Sequence, residues 1–137
     1  MNADYFLDTN IIAYAFDQDS AGKQQRALEL IEDQAPWHVS WQVVQEFSNV
    51  ALHRFQTPLP ANTIQGFCEL LLWPHCSVFP SPSIHAKALE IHTSTQYRFF
   101  DSLIVAAALE SKVPILYSED LQHGRQIGDM KIINPFR

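Results

Sequence analysis

Ser102-Leu103-Ile104-Val105-Ala106-Ala107-Ala108-Leu109 is apolar almost all round, and Pro114-Ile115-Leu116-Tyr117 follows it as a short apolar run. A helix without a polar face packs on more than one side, and a short apolar run beyond it reads as a buried strand. The stretch therefore predicts a central helix feeding a strand, and the same alternation recurs outward from it. Upstream, Tyr5-Phe6-Leu7 is a first strand ended by Asp8-Thr9-Asn10, after which Ile11 to Phe16 turns helical. Lys23 to Glu32 sets Ala27, Leu28, Leu30 and Ile31 among charges, an amphipathic helix that ends before Pro36. Trp37-His38-Val39 reads as strand two, and Ser40 caps a helix with the stripe Val43, Val44, Phe47, Val50 and Ala51, running to about Phe55. Thr63 to Leu72 gives a further helix that Pro74 stops, and Ser77-Val78-Phe79 is strand three. Ser83 caps the next helix, with a polar stretch from Thr93 to Gln96 after it, and Met130 to Ile133 is strand five. Short apolar runs alternating with helical segments mean βαβ units, hence an α/β fold. No repeat, linker or low-complexity tract interrupts it, so residues 1–137 read as one domain.

Composition agrees. Forty-seven per cent apolar residues, 12% aromatics and four glycines describe a chain that folds rather than a disordered one. At this length folding buries roughly 68% of the unfolded surface, enough for a core without disulfide or zinc staples. Cys68 and Cys76 form no C-x-x-C pair, and two thiols suit a reducing cytoplasm. The N-terminus has no basic and apolar leader, and nowhere do 18 apolar residues run together, so secretion and membrane spanning are not expected.

Function is sought where the strands end. In an open parallel sheet, ligands bind outside the carboxyl ends of the strands, in the loops that lead into helices. Asp8 follows strand one, Glu46 lies in the helix after strand two, Asp101 opens the central helix, and Asp120 follows strand four. Glu46 borders the apolar stripe of its helix, with Val43 and Val50 on either side, so it skirts the sheet edge. Four carboxylates on one edge repel unless a cation lies among them, and hard oxygen donors suit Mg²⁺ or Mn²⁺. Each residue alone has a plainer account. Asp8 and Asp101 stand where N-caps stand, Asp120 sits in turn-like sequence with Ser118 and Glu119, and Glu46 can be a solvated helix residue.

Together the motifs carry more. Leu7-Asp8-Thr9-Asn10, the Glu of Val44-Gln45-Glu46-Phe47, Phe100-Asp101-Ser102-Leu103-Ile104-Val105-Ala106-Ala107-Ala108 and Ser118-Glu119-Asp120 resemble the PIN-domain nucleases. The run Tyr117-Ser118-Glu119-Asp120-Leu121-Gln122-His123-Gly124 and the ending Ile133-Asn134-Pro135-Phe136 look like the VapC-type toxins of toxin–antitoxin pairs. The resemblance spans Asp8 to Phe136. It implies a three-layer α/β/α sandwich with a five-stranded parallel sheet and a metal site at Asp8, Glu46, Asp101 and Asp120. Asp8 and Asp101 would be the core metal ligands, with Glu46 and Asp120 bound directly or through water. Thr9, Asn10 and Ser118 are the polar residues that the resemblance places behind them. Glu119 and Asp120 are adjacent, and either can turn inward; Asp120 matches the family position. The resemblance further implies Mg²⁺- or Mn²⁺-dependent endonucleolytic cleavage of RNA, an antitoxin partner and a homodimer.

The net charge of −6 opposes a polyanionic substrate at long range. Arg98 lies three residues before Asp101, and His123 and Arg125 follow Asp120, so donors can flank the site, although solvated surface is the simpler account of each. The remaining histidines have no zinc-like spacing, and Trp37, Trp41 and Trp73 read as packing residues. Two other Mg²⁺-dependent α/β classes fit less well. A receiver domain needs an Asp after strand three, where Phe79-Pro80 stands, and an aspartyl phosphatase needs D-x-D where Asp8-Thr9-Asn10 stands. An alternative of a different kind is a binding module whose acidic pocket captures a basic partner without cutting anything, for which a pocket arginine paired with carboxylates is the chemistry.

Overall fold

A computed structural model describes residues 4–137. Its sheet has the order β3-β2-β1-β4-β6-β5. The strands are β1 (Tyr5–Leu7), β2 (Trp37–Ser40), β3 (Cys76–Val78), β4 (Ile115–Tyr117), β5 (Gln126–Ile127) and β6 (Met130–Ile133). β1 is central and parallel to both neighbours, with Tyr5 beside Trp37 and Ile115, and all three of its residues are buried. Burial on both faces is what an uninterrupted apolar run in a parallel sheet requires.

The helices are α1 (Thr9–Phe16), α2 (Ala21–Glu32), α3 (Trp41–His53), α4 (Ala61–Phe67), α5 (Trp73–His75), α6 (Pro82–Thr95) and α7 (Phe99–Glu110). The chain moves one way across the sheet from β1 to β3 and the other way from β3 to β4, so right-handed crossovers set α1 to α5 and α6 to α7 on opposite faces. The packing agrees: α1 lies on α2 and α3, while α7 lies on α6 and crosses β2. Phe6, Leu7, Ile11, Ile12, Val43, Phe47, Val105 and Leu116 fill the core, all essentially solvent-free. The fold is thus the expected α/β sandwich. Among the described residues no helix is long and apolar enough to cross a membrane.

Several local expectations need correction. The five parallel strands carry a sixth, the two-residue β5, antiparallel to β6. A tight hairpin at Gly128-Asp129 makes it, with Gly128 supplying φ 57° at the first loop position. Ser81 rather than Ser83 caps α6, accepting the Ile84 N–H at 3.2 Å, because Pro82 fits the first helical position, where no N–H is needed. Thr93 to Thr95 remain helical, their hydroxyls bonded back to the carbonyls of Leu89 and Ile91, and Gln96 at φ 65° ends the helix. Pro74 does not stop its helix outright. A π-helical turn, Cys68–Leu72, precedes it, widening the turn that the proline ring would otherwise crowd, and α5 follows. Strand three lies one residue earlier than expected, leaving Phe79 exposed beyond it. Asp101 is not a cap: Arg98 holds that position, and Asp101 sits in the first turn of α7.

Candidate active site

The strand order reverses between β1 and β4, which leave the sheet side by side and send their chains apart. That divergence opens a crevice at the carboxyl ends, the place where such sheets bind ligands. Asp8 stands in it as the N-cap of α1. One of its oxygens accepts the Thr9 N–H at 2.7 Å and the other the Ser118 hydroxyl at 2.8 Å, while its own N–H donates to the Tyr117 carbonyl, tying β1 to β4. The Thr9 hydroxyl donates to Glu46 Oε1 at 3.0 Å, fixing α3 against the start of α1. Asn10 Nδ2 donates to Asp120 Oδ2 at 2.5 Å. Thr9 and Ser118 are themselves buried, so their hydroxyls are committed to these carboxylates rather than to water.

Asp8, Thr9, Asn10, Glu46, Asp101 and Asp120 line one cleft of about 450 Å³, walled along α3 by Gln45, Asn49, Val50 and Arg54. Burial and the proximity of Glu46 and Asp101 push the Asp8 carboxyl up to about 6, against the pull of the Ser118 and Thr9 donors. Burial also raises Glu46, with Asp101 adding to it. Asp101 is raised by burial and by Asp120, and Arg98 partly offsets this. These carboxylates are thus held near one another at an electrostatic cost.

The two adjacent acids after β4 part company. Glu119 pairs with Lys23 at 2.8 Å and accepts from the Tyr14 hydroxyl at 3.2 Å, facing α1 and α2 away from the cleft. Asp120 turns into the cleft. Of the flanking cations, Arg98 lies close enough to Asp101 to act on it. His123 and Arg125 do not line the cleft: His123 Nδ1 accepts the Asn134 N–H at 2.9 Å, and Arg125 bonds Gln122 and lies 5.4 Å from the Tyr97 ring. Trp37 is core, its indole N–H donating to the Ile31 carbonyl.

Two residues of α3 were not singled out from sequence. Gln42 donates to both Glu46 and the Phe100 carbonyl, bridging α3 to α7, and Arg54 closes the far end of the cleft. The signal was available, since 42, 46, 50 and 54 are spaced by four and share one helical face.

The oxygen donors suit a hard divalent cation, and a cation would offset the burial and the repulsion that raise Asp8. Among the described residues, no three His, Cys, Asp or Glu side chains are grouped tightly enough to hold one ion unaided. Mg²⁺ commonly uses one or two carboxylates and keeps several waters, so the donor set present fits that ion.

No curated protein matches the sequence. Similar folds occur in a toxin–antitoxin complex from Klebsiella pneumoniae, with TM-score 0.71 and 16% identity over 96% of this chain and 97% of that one. VapBC2 from Rickettsia felis, bound to a DNA fragment from its promoter, gives 0.64 and 17% over 94% and 96%. VapC20 from Mycobacterium tuberculosis, a toxin that cleaves the sarcin–ricin loop, gives 0.65 and 17% over 85% and 89%. The PIN domain model matches residues 5–126, most of the sheet and every residue lining the acidic cleft, and the chain belongs to the PIN domain family.

Proposed function

We propose that the protein is a Mg²⁺- or Mn²⁺-dependent endoribonuclease acting as the toxin of a toxin–antitoxin pair. The observation that carries this is the convergence of Asp8, Glu46, Asp101 and Asp120 in one cleft at the crossover point of the sheet, each brought there by a different element. A bound divalent ion would supply charge neutralisation at the phosphate and an activated water. In this reading Asp8 and Asp101 hold the ion, and Glu46 and Asp120 ligate it or orient its water. Ser118 keeps Asp8 ionised by donating to it, and Thr9 fixes the direction of Glu46. Asn10, bonded to Asp120, limits how far that carboxylate swings. Arg98, beside Asp101, is a donor for RNA phosphate.

The toxin role rests on the structural neighbours, several of which are complexes with an antitoxin. RNA as substrate, a basic antitoxin segment that covers the acidic cleft, a homodimer and a cytoplasmic location belong to the same reading. Incubating purified protein with RNA in millimolar Mn²⁺ and in EDTA tests it. Metal-dependent internal cleavage that Asp8→Asn abolishes supports the nuclease. Tight binding of a basic peptide without any cleavage would leave the acidic binding module instead.

A further inference from the structure

α3 forms one wall of the cleft, and beyond Glu46 this wall carries Asn49, Val50 and Arg54. Arg54 is exposed at the C-cap of α3, and its side chain makes no ion pair or hydrogen bond with any described residue. Gln45 and Asn49, also exposed, have amides equally without a protein partner, in contrast to Gln42, which is committed to Glu46 and Phe100. Among the described residues, Arg54 is the one Lys or Arg lining the cleft of four carboxylates, yet it neutralises none of them by a direct pair.

We propose that Arg54, with Asn49 on the same wall of the cleft, holds an RNA phosphate further along the strand from the one being cut, so that the C-terminal half of α3 is the track along which the strand lies. Eight residues separate Glu46 from Arg54, about 12 Å along a helix, which sets Arg54 at a different phosphate from the carboxylates. A guanidinium with its donors free matches a phosphate in a bidentate manner, and an unpaired cation in an acidic cleft gives a polyanion an attractive foothold where the net charge gives none. The free amides of Gln45 and Asn49 suit the 2′-hydroxyl and base edges of a single strand. Arg54 is a positioning residue here, since it does not touch the reacting bond. A competing account is that Arg54 complements the C-terminal end of α3 or balances the carboxylates, with no part in substrate binding.

This inference rests on the reading of the cleft as an RNA-cutting site, and the experiment separates the two. Binding of a fluorescein-labelled single-stranded RNA is followed by anisotropy in Ca²⁺ across a range of KCl, for wild type, Arg54→Gln and Arg54→Lys, and cleavage of the same RNA is followed in Mn²⁺. Losing one phosphate contact flattens the dependence of log K on log salt by about 0.7 for a single strand. Arg54→Gln is expected to show that flattening, to bind about tenfold more weakly at low salt, and to lose more in half-saturation than in saturating rate. Arg54→Lys should restore most of the salt dependence while recovering only part of the affinity. The thermal shift with Mn²⁺ should persist in both variants. An unchanged salt slope in Arg54→Gln overturns the proposal, and if that variant also gains Mn²⁺ affinity, charge balance is the role of Arg54. Arg54-dependent binding without cleavage by wild type would instead remove the nuclease reading and keep the track.

Discussion

Replacing Asp8 by Asn removes a charge that the metal-free fold holds at a cost. The carboxyl sits at about 6 against an ordinary 3.8. At about 1.4 kcal/mol per pH unit, keeping it ionised above pH 7 costs the folded state about 3 kcal/mol relative to the unfolded chain. Because the folded value is raised, the stability is present below pH 3.8 and is lost as pH rises through 6. Asn carries no such penalty, but one of its two terminal groups no longer accepts, so the bond from Thr9 or from Ser118 is lost at about 1–2 kcal/mol. The net expectation for the metal-free variant at pH 7.5 is a gain of about 1–2 kcal/mol. For a domain of 137 residues, where 1 kcal/mol moves the midpoint by about 3–4 °C, this is roughly 3–8 °C. Melting followed by circular dichroism in EDTA should therefore place Asp8→Asn above wild type at pH 7.5, with the order closing or reversing near pH 4. Millimolar Mn²⁺ should raise wild type, by about 2.7 kcal/mol if the ion is a hundredfold above its Kd, and leave the variant nearly unmoved. A variant that melts below wild type in EDTA at pH 7.5 would refute the electrostatic reasoning, and an equal Mn²⁺ response in both would take Asp8 out of the metal site.

Asp101→Asn should keep the fold, since a first-turn residue of α7 that accepts no hydrogen bond loses only a helix-end interaction of about 0.3–1 kcal/mol, while RNA cleavage falls by roughly 100-fold or more; a folded variant that cuts at the wild-type rate would contradict this. Asp120→Asn should impair single-turnover cleavage far more than Glu119→Gln, whose half-exposed pair with Lys23 costs at most about 1 kcal/mol in a melting experiment; a larger loss of activity in Glu119→Gln would reverse the assignment. Ser118→Ala removes the hydroxyl that donates to Asp8, so Asp8 should titrate higher still and Mn²⁺ affinity by calorimetry should drop about tenfold, more at pH 6 than at pH 8; a pH-independent loss would mean a packing defect instead.

What the sequence made legible is what composition and periodicity encode. The core strands Tyr5–Leu7 and Ile115–Tyr117 and the all-round apolar α7 are apolar because they are covered on both sides, so their residue types and their burial report the same fact. Asp8 and Asp120 were legible for a related reason: they follow β1 and β4, and the ends of neighbouring strands in a parallel sheet converge, while Glu46 and Asp101 lie in α3 and α7. The misses have local causes. Gly128-Asp129 is a two-residue hairpin signal, but β5 is too short to show alternation, so no strand pattern preceded the turn to mark it. Ser81 and Ser83 are both adequate caps, and the choice lay with Pro82 between them. Arg54 was missed because charge was sought next to the carboxylates in the chain, at Arg98, His123 and Arg125. Sequence adjacency brings a residue near the site only when the loop carries it there, and after Asp120 the chain turns away, His123 accepting the Asn134 N–H beyond β6 and Arg125 bonding to Gln122. A helix lining the cleft extends it by four-residue steps instead, from Gln42 through Glu46 and Val50 to Arg54, and side chains far apart in the chain become neighbours along one wall. A cation for an acidic site on such a fold is therefore to be sought at four-residue intervals along the helix that carries an acid, as well as in the residues flanking it.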